Sequence, residues 1–155
     1  MKIPAVLRRV ADVVRPRRGP LQVAALPYRR GADGSVEVLL VTTRGTGRWM
    51  VPKGWPMRGK SHAEAAAQEA FEEAGVRGSA SPVELGRFAH EKTRFPASSL
   101  HCTVAVFPMA VEKELASWPE RGQRTRRWFS VEEAATAVQS PSIAAIIAKV
   151  QQFGA

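Results

Sequence analysis

With one cysteine, Cys102, and three histidines in 155 residues, the chain has no means for an intrachain disulfide or a Cys/His zinc cluster. A lone cysteine in an apolar run reads as a core residue, and a reducing compartment is the simplest inference. His62, His90 and His101 read as structural rather than as ligands. No run approaches the roughly 20 apolar residues of a membrane helix. The N-terminal segment MKIPAVLRRVADVVRPRRGP lacks the uninterrupted apolar stretch of a secretory signal, and although it is Arg-rich like a mitochondrial presequence it contains no serine. Cytoplasmic residence is therefore expected. Ser98, Ser99 and Ser140 lie in no nucleophile motif.

Negative charge is scarce as well: 14 acidic residues face 23 basic ones, a formal net charge of +9. Such a surface favours polyanions. Arg44, Arg48, Lys53, Arg58 and Lys60 fall close together, Lys92 and Arg94 follow an apolar-alternating run, and Arg121, Arg124, Arg126 and Arg127 precede Trp128. The competing reading is a solvated basic surface that maintains solubility. At 45% hydrophobic and 24% charged, the composition suits one compact domain with a sizeable core. Residues 3–14 are expected to form a short helix and residues 15–20 a basic linker, so residues 1–20 stand apart from a domain over 21–155.

Against this background, acids gather in one place. Glu69, Glu72 and Glu73 are three and four positions apart, which on a helix at about 100° per residue confines them to an arc of about 100°. Ala63, Ala66, Ala67, Ala70 and Ala74 occupy the adjoining arc, where small side chains let the helix press closely against a sheet. Ser61 and Glu64 have the spacing of a capping box, and Gly75 sits where a left-handed C-terminal residue is wanted, so a helix over about 61–74 is predicted. Glu72 and Glu73 fall at the negative end of its macrodipole and repel Glu69. A divalent cation would relieve that repulsion; a solvated acidic face is the bland alternative.

The spacing argues for the cation. Residues 54–76, GWPMRGKSHAEAAAQEAFEEAGV, resemble the Nudix box, G-x5-E-x7-R-E-U-x-E-E-x-G-U with U aliphatic. Gly54, Glu69, Glu72, Glu73, Gly75 and Val76 fall on its defined positions, with Ala70 a small substitute at the first U. Two positions depart: Lys60 stands where the family has Glu, and Gln68 where it has Arg. The resemblance implies hydrolysis of a phosphoanhydride with Mg²⁺, or Mn²⁺ in its place, as cofactor. It implies Glu69 and Glu73 as direct metal ligands and Glu72 as a third ligand or water-activating base, with a backbone carbonyl at Lys53–Gly54 completing the set. The family's box Arg orients the acids by ion pairing, and Gln68 in that place offers only a neutral amide. An acid beyond the box often joins the metal site in this family, and Glu91 is the candidate.

The order of features from about Leu21 to Phe153 is similar to the branch that hydrolyses diphosphoinositol polyphosphates and diadenosine polyphosphates: VEVLLVTTR, GRWMVPKGWP, EAFEEAGV, Trp118, then RTRRWFSVEEA. That likeness implies Thr43, Arg44, Arg48 and Arg127 as phosphate contacts, and Lys53, Lys92 and Arg94 join them as basic residues expected at the rim. Lys53, Trp55 and Pro56 stand among the glycines expected in that branch, which leaves the substrate open. Trp55 is either a stacking platform for a base or a buried loop anchor. The expected partner is a small polyphosphorylated molecule, an RNA 5′ end is the alternative, a nonenzymatic polyanion-binding module is the third reading, and oligomeric state is open.

For the fold, strands are predicted over 21–29, 36–43, 49–51, 83–91 and 100–111, with helices over 131–138, capped by Ser130, and 143–153. One helix set among strands, with helices closing the chain, gives an α/β class. The resemblance supplies the architecture: a Nudix-type α/β/α sandwich with a mixed β-sheet between helices.

Overall fold

The computed structural model describes residues 20–94 and 98–153, with the backbone alone for 91–94 and 98–101. The expected N-terminal helix and linker, and the side chains of Lys92, Arg94, Glu91 and His101, lie outside the described residues.

Leu21–Arg30 (β1) alternates apolar side chains to both faces, and both faces are covered: Ala24 and Leu26 point into one core, Val23 and Ala25 into the other. A turn through 31–35 returns the chain as Val36–Thr42 (β2), antiparallel to the end of β1 with Tyr28 opposite Val38. Trp49–Met50 (β3) pairs with the end of β2, and Lys53–Gly54 (β4) pairs with the start of β1, Val23 opposite Gly54. After the acidic helix His62–Ala74 (α1) come Val76–Ala80 (β5), Gly86–Arg94 (β6) and the long Ser98–Glu114 (β7). β7 runs parallel to β1 along one side and carries both β6 and β5 antiparallel along the other. Arg126–Ser130 (β8) closes the opposite edge against β2. The predicted mixed sheet is thus present, with eight strands among the described residues.

Helices cover both faces. The alanine face of α1, to which Ala65 also belongs, packs on Val23, Leu39, Val41, Phe107 and Met109. Val131–Ala137 (α2) and Pro141–Ala148 (α3) pack Ala134, Ile143, Ile146 and Ile147 against Leu26, Leu40, Phe88 and Val104 on the other face. Ser130 caps α2 as expected, and Ser140, which has no nucleophile motif, caps α3 through the Ile143 amide. The predicted 143–153 helix begins earlier, with Pro at its first turn, and tightens into a 3-10 turn at Lys149–Gln152. Cys102 is buried, as its lone position in an apolar run predicts. Among the described residues, no helix is long and apolar enough to cross a membrane.

Both ends of α1 follow from its sequence. Ser61 accepts from the Glu64 amide while the Glu64 carboxylate accepts from the Ser61 amide, the reciprocal capping box. Gly75 is left-handed at φ 65°, and a Cβ there would lie 2.6 Å from Trp118 Cε3, so glycine is required by conformation and by space. The last carbonyls of α1 are all taken. Phe71 O accepts from Gly75 N, Glu72 O from Glu120 N and Glu73 O from Trp118 Nε1, while Ala74 O and Gly75 O accept from Arg126 Nη1. The segment between β7 and β8 therefore wraps the C-terminal end of the acidic helix, supplying the donors that a helix end lacks.

Candidate active site

That wrapping segment decides which residues meet. Between α1, β4, the end of β2 and the 115–125 segment lies a cleft of about 1090 Å³. Glu69 and Glu73 line it with Glu120; Thr43, Arg44, Arg48, Lys53, Gly54 and Arg124 line it with them. Trp49, Met50, Trp55, Met57 and Phe88 give it an apolar side. Trp55 is 41% exposed, which places it at the mouth rather than as a buried anchor.

Gly54 is where β4 passes the acidic helix. A Cβ at that position would lie 2.7 Å from Glu69 Oε2 and closer still to the rest of the carboxylate, so glycine makes room for Glu69. Glu73 is held from two sides: its Oε2 accepts from the Lys53 backbone N–H at 3.3 Å, and its Oε1 lies 3.3 Å from Arg124 Nη2. Arg124 Nε donates to Glu120 Oε1 at 3.2 Å and Nη1 to the Thr42 carbonyl at 3.2 Å. Arg44 Nη1 donates to Gln123 and stands 4.0 Å from Glu120. Lys53 Nζ donates to Gln22 Oε1, so its charge lies along the cleft wall. Thr43 Oγ1 accepts from the Arg48 amide and meets Thr46, which fixes the loop carrying both basic residues.

The acids are crowded and partly dehydrated. Burial pushes the Glu69 carboxyl up to about 7; repulsion from Glu73, Glu72 and Glu120 adds to the rise and Arg124 opposes it. Burial likewise raises Glu73 to about 7, with Glu120 adding to the rise and Arg124 and Lys53 opposing it. Between pH 4.5 and 7 the folded chain therefore retains protons that the unfolded chain releases, and this contribution to stability is lost as pH rises through that window. In chelated buffer at pH 7.5, Glu69→Gln should accordingly melt above the wild type. Discounted for the partial exposure of Glu69, the gain is about 1 to 2 kcal/mol, a few degrees in Tm. Thermal melts at pH 7.5 and pH 5 check it: the gap should shrink at the lower pH, and a variant no more stable than wild type at pH 7.5 refutes the electrostatic description.

Not every residue expected at the site arrives there. Glu72 does not line the cleft; its Oε1 accepts from Gln68 Nε2 at 3.3 Å on the flank of α1. Arg127 also points elsewhere, its guanidinium 4.7 Å over the Phe129 ring and 3.9 Å from Glu133. Lys60 is exposed beside the capping box, where the Ser61 amide and hydroxyl hold the Glu64 carboxyl below its ordinary value and the Lys60 charge adds a little to that. His62 is exposed, and His90 stands edge-on to Phe88 and lines the cleft. Conversely, Glu120 and Arg124 line the cleft without a local signal that marks them: in sequence Arg124 is one member of a basic cluster, and nothing in the spacing of Glu120 links it to the helix.

Among the described residues, no group of three or more His, Cys, Asp or Glu side chains stands ready-made around a cation. Arg124 lies between Glu73 and Glu120 instead. The donor set nevertheless fits a hard divalent ion in kind, because it offers carboxylate oxygens at a position that glycine keeps open.

Residues 20–150 match the NUDIX domain. The chain belongs to the Nudix family. It is 36% identical over 110 residues to Nudix hydrolase 16, mitochondrial, of Arabidopsis thaliana, covering 68% of this chain and 60% of that protein. It is 35% identical over 121 residues to diphosphoinositol polyphosphate phosphohydrolase 3-beta of Bos taurus, covering 76% of this chain and 68% of that protein. The chain thus spans less than two thirds of the length of the plant relative. The Nudix fold is shared with the C. elegans Ap4A hydrolase, which superposes with a TM-score of 0.63 over 88% of this chain and 99% of that one at 18% identity.

Proposed function

We propose that this Nudix domain hydrolyses a phosphoanhydride bond in a small, multiply phosphorylated molecule of the diadenosine polyphosphate or diphosphoinositol polyphosphate kind, with Mg²⁺ or Mn²⁺ as cofactor. The observation that carries the reading is one cleft with carboxylates at Glu69, Glu73 and Glu120 and cations at Arg44, Arg48 and Lys53 along its walls. A site for phosphates alone would have no use for three buried or half-buried acids; a metal site alone would have no use for the cations. The likeness to a diphosphoinositol polyphosphate phosphohydrolase supports the substrate class.

Glu69, Glu73 and Glu120 would hold the divalent ion, which when bound neutralises phosphate charge and lowers the pKa of a water. The remaining work belongs to the chain. Arg44, Arg48 and Lys53 set the register of the phosphates, since charge spread over several anionic oxygens is met by several cations. The Lys53 amide and Arg124 keep the Glu73 carboxylate turned toward the cleft. Trp49, Met50 and Phe88 give the cleft an apolar wall beside the acids.

Diadenosine tetraphosphate, a diphosphoinositol polyphosphate and 5′-triphosphorylated RNA, each with Mg²⁺ and with excess chelator, test this directly. Turnover of one of the two small molecules, abolished by chelation, is expected. Preference for RNA would move the assignment to a 5′-end pyrophosphohydrolase, and no turnover of any of the three would refute an enzyme of this kind.

A further inference from the structure

The box pattern places an arginine immediately before the first acid of α1, yet this chain has Gln68 there. Its amide reaches Glu72, at 3.3 Å, and does so without charge. The acids that line the cleft are held by another residue. Arg124 comes from the segment before β8 and spends all three faces of its guanidinium on fixed partners: Nη2 toward Glu73, Nε on Glu120 and Nη1 on the Thr42 carbonyl. Its side chain is 12% exposed, as against 63% for Arg44, so it is part of the wall rather than a mobile surface charge. The anchor is firm, because Thr125 N donates to Thr42 Oγ1 and Thr42 N donates to Thr125 O, pinning the residue after Arg124 to the end of β2.

We propose that Arg124, from a segment distant in sequence from the acidic helix, is a positioning residue for the cleft carboxylates Glu73 and Glu120. This rests on the hydrolase reading above. Glu73 and Glu120 are like charges brought side by side by different elements; without a cation between them, each is driven to swing away. A planar fork bonded to both fixes the direction of both carboxylates, which a compact ammonium does less well.

Substitutions at positions 124 and 68 test this role. Arg124→Met should lower kcat by at least about tenfold with KM changed less than about threefold, because the residue orients acids rather than binding phosphate. Mn²⁺ binding, followed by the electron paramagnetic signal of the free aqua ion, should weaken by at least about fivefold. Gln68→Arg in the Arg124→Met background should recover neither loss, since position 68 reaches Glu72 on the helix flank rather than Glu73 or Glu120. Arg124→Lys, which keeps the charge and loses the fork, should fall between. If Arg124→Met does not fold, as judged by circular dichroism, the lysine variant and its own Gln68→Arg partner carry the test.

Recovery by Gln68→Arg, or a kcat and an Mn²⁺ affinity within about threefold of wild type in Arg124→Met, would overturn the proposal. Tighter Mn²⁺ binding in Arg124→Met would also overturn it, because Arg124 would then be a competitor for the carboxylates. If the wild type turns over none of the three substrates, the hydrolase reading fails alone, and the Mn²⁺ measurements still decide the role of Arg124.

Discussion

Glu73→Gln should cut divalent-dependent turnover by about 100-fold or more, a loss of about 2.7 kcal/mol of transition-state stabilisation, while the protein still folds. Both oxygens of Glu73 accept: Oε2 from the Lys53 amide and Oε1 toward Arg124. A glutamine offers one oxygen and one NH₂, so one of those donors faces another donor, and the amide cannot serve as an anionic ligand. The fold survives because the backbone of Glu73 keeps its helix bonds and its bond from Trp118 Nε1. Glu72→Gln should cost less than Glu73→Gln, since Glu72 lies on the flank of the helix beside Gln68. Steady-state rates in Mg²⁺ for the two variants, with circular dichroism melts as the control for folding, give the comparison. If Glu73→Gln keeps more than a tenth of wild-type turnover, or if Glu72→Gln loses more than Glu73→Gln, the assignment of the cleft acids is wrong.

The two glutamates differ in what the sequence reveals about them. The helix is legible because its signals are local: the capping box at Ser61 and Glu64, the alanine face, Gly75 at the end, and the acids at helical spacing. Sequence spacing places Glu69, Glu72 and Glu73 on one arc but does not say where the cleft opens along it. That is settled by β4 crossing at Gly54 and by the 115–125 segment folding over the helix end. The bonds from Leu115, Trp118 and Glu120 to carbonyls of the helix end are tertiary, made by irregular chain with no periodicity to read, and they bring Glu120 and Arg124 to the acids. Arg127 is the converse case. On a strand, adjacent side chains take opposite faces, so Arg126 reaches the carbonyls at the end of α1 while Arg127 turns to Phe129 and Glu133. A cluster of arginines in sequence is therefore divided between the two faces of the sheet. Very short strands such as Lys53–Gly54 escape for another reason: two residues cannot show alternation.

The second large effect is expected at a residue with no side chain. Gly54→Ala should lower turnover by about 100-fold while changing the melting temperature little. The added Cβ would overlap the Glu69 carboxylate, not backbone, and Glu69 is the far end of a flexible side chain, so the collision is relieved by swinging that carboxylate out of place. A displacement of about 1 Å at a reacting group is enough for a loss of about 100-fold. Stability has little to lose, because Glu69 sits there dehydrated and repelled by Glu73, Glu72 and Glu120. Gly75 is the opposite case: its φ of 65° and its contact with the Trp118 ring make any side chain there a strain on the fold. Activity and thermal melts of Gly54→Ala, alone and combined with Glu69→Gln, separate the two kinds of glycine. In the Glu69→Gln background the alanine should add less than about threefold to the loss, since the carboxylate it displaces is already neutralised. A full further 100-fold loss in that background would mean that Gly54 acts through something other than Glu69, such as its own carbonyl, and the account of Gly54 as the space for that carboxylate would fall.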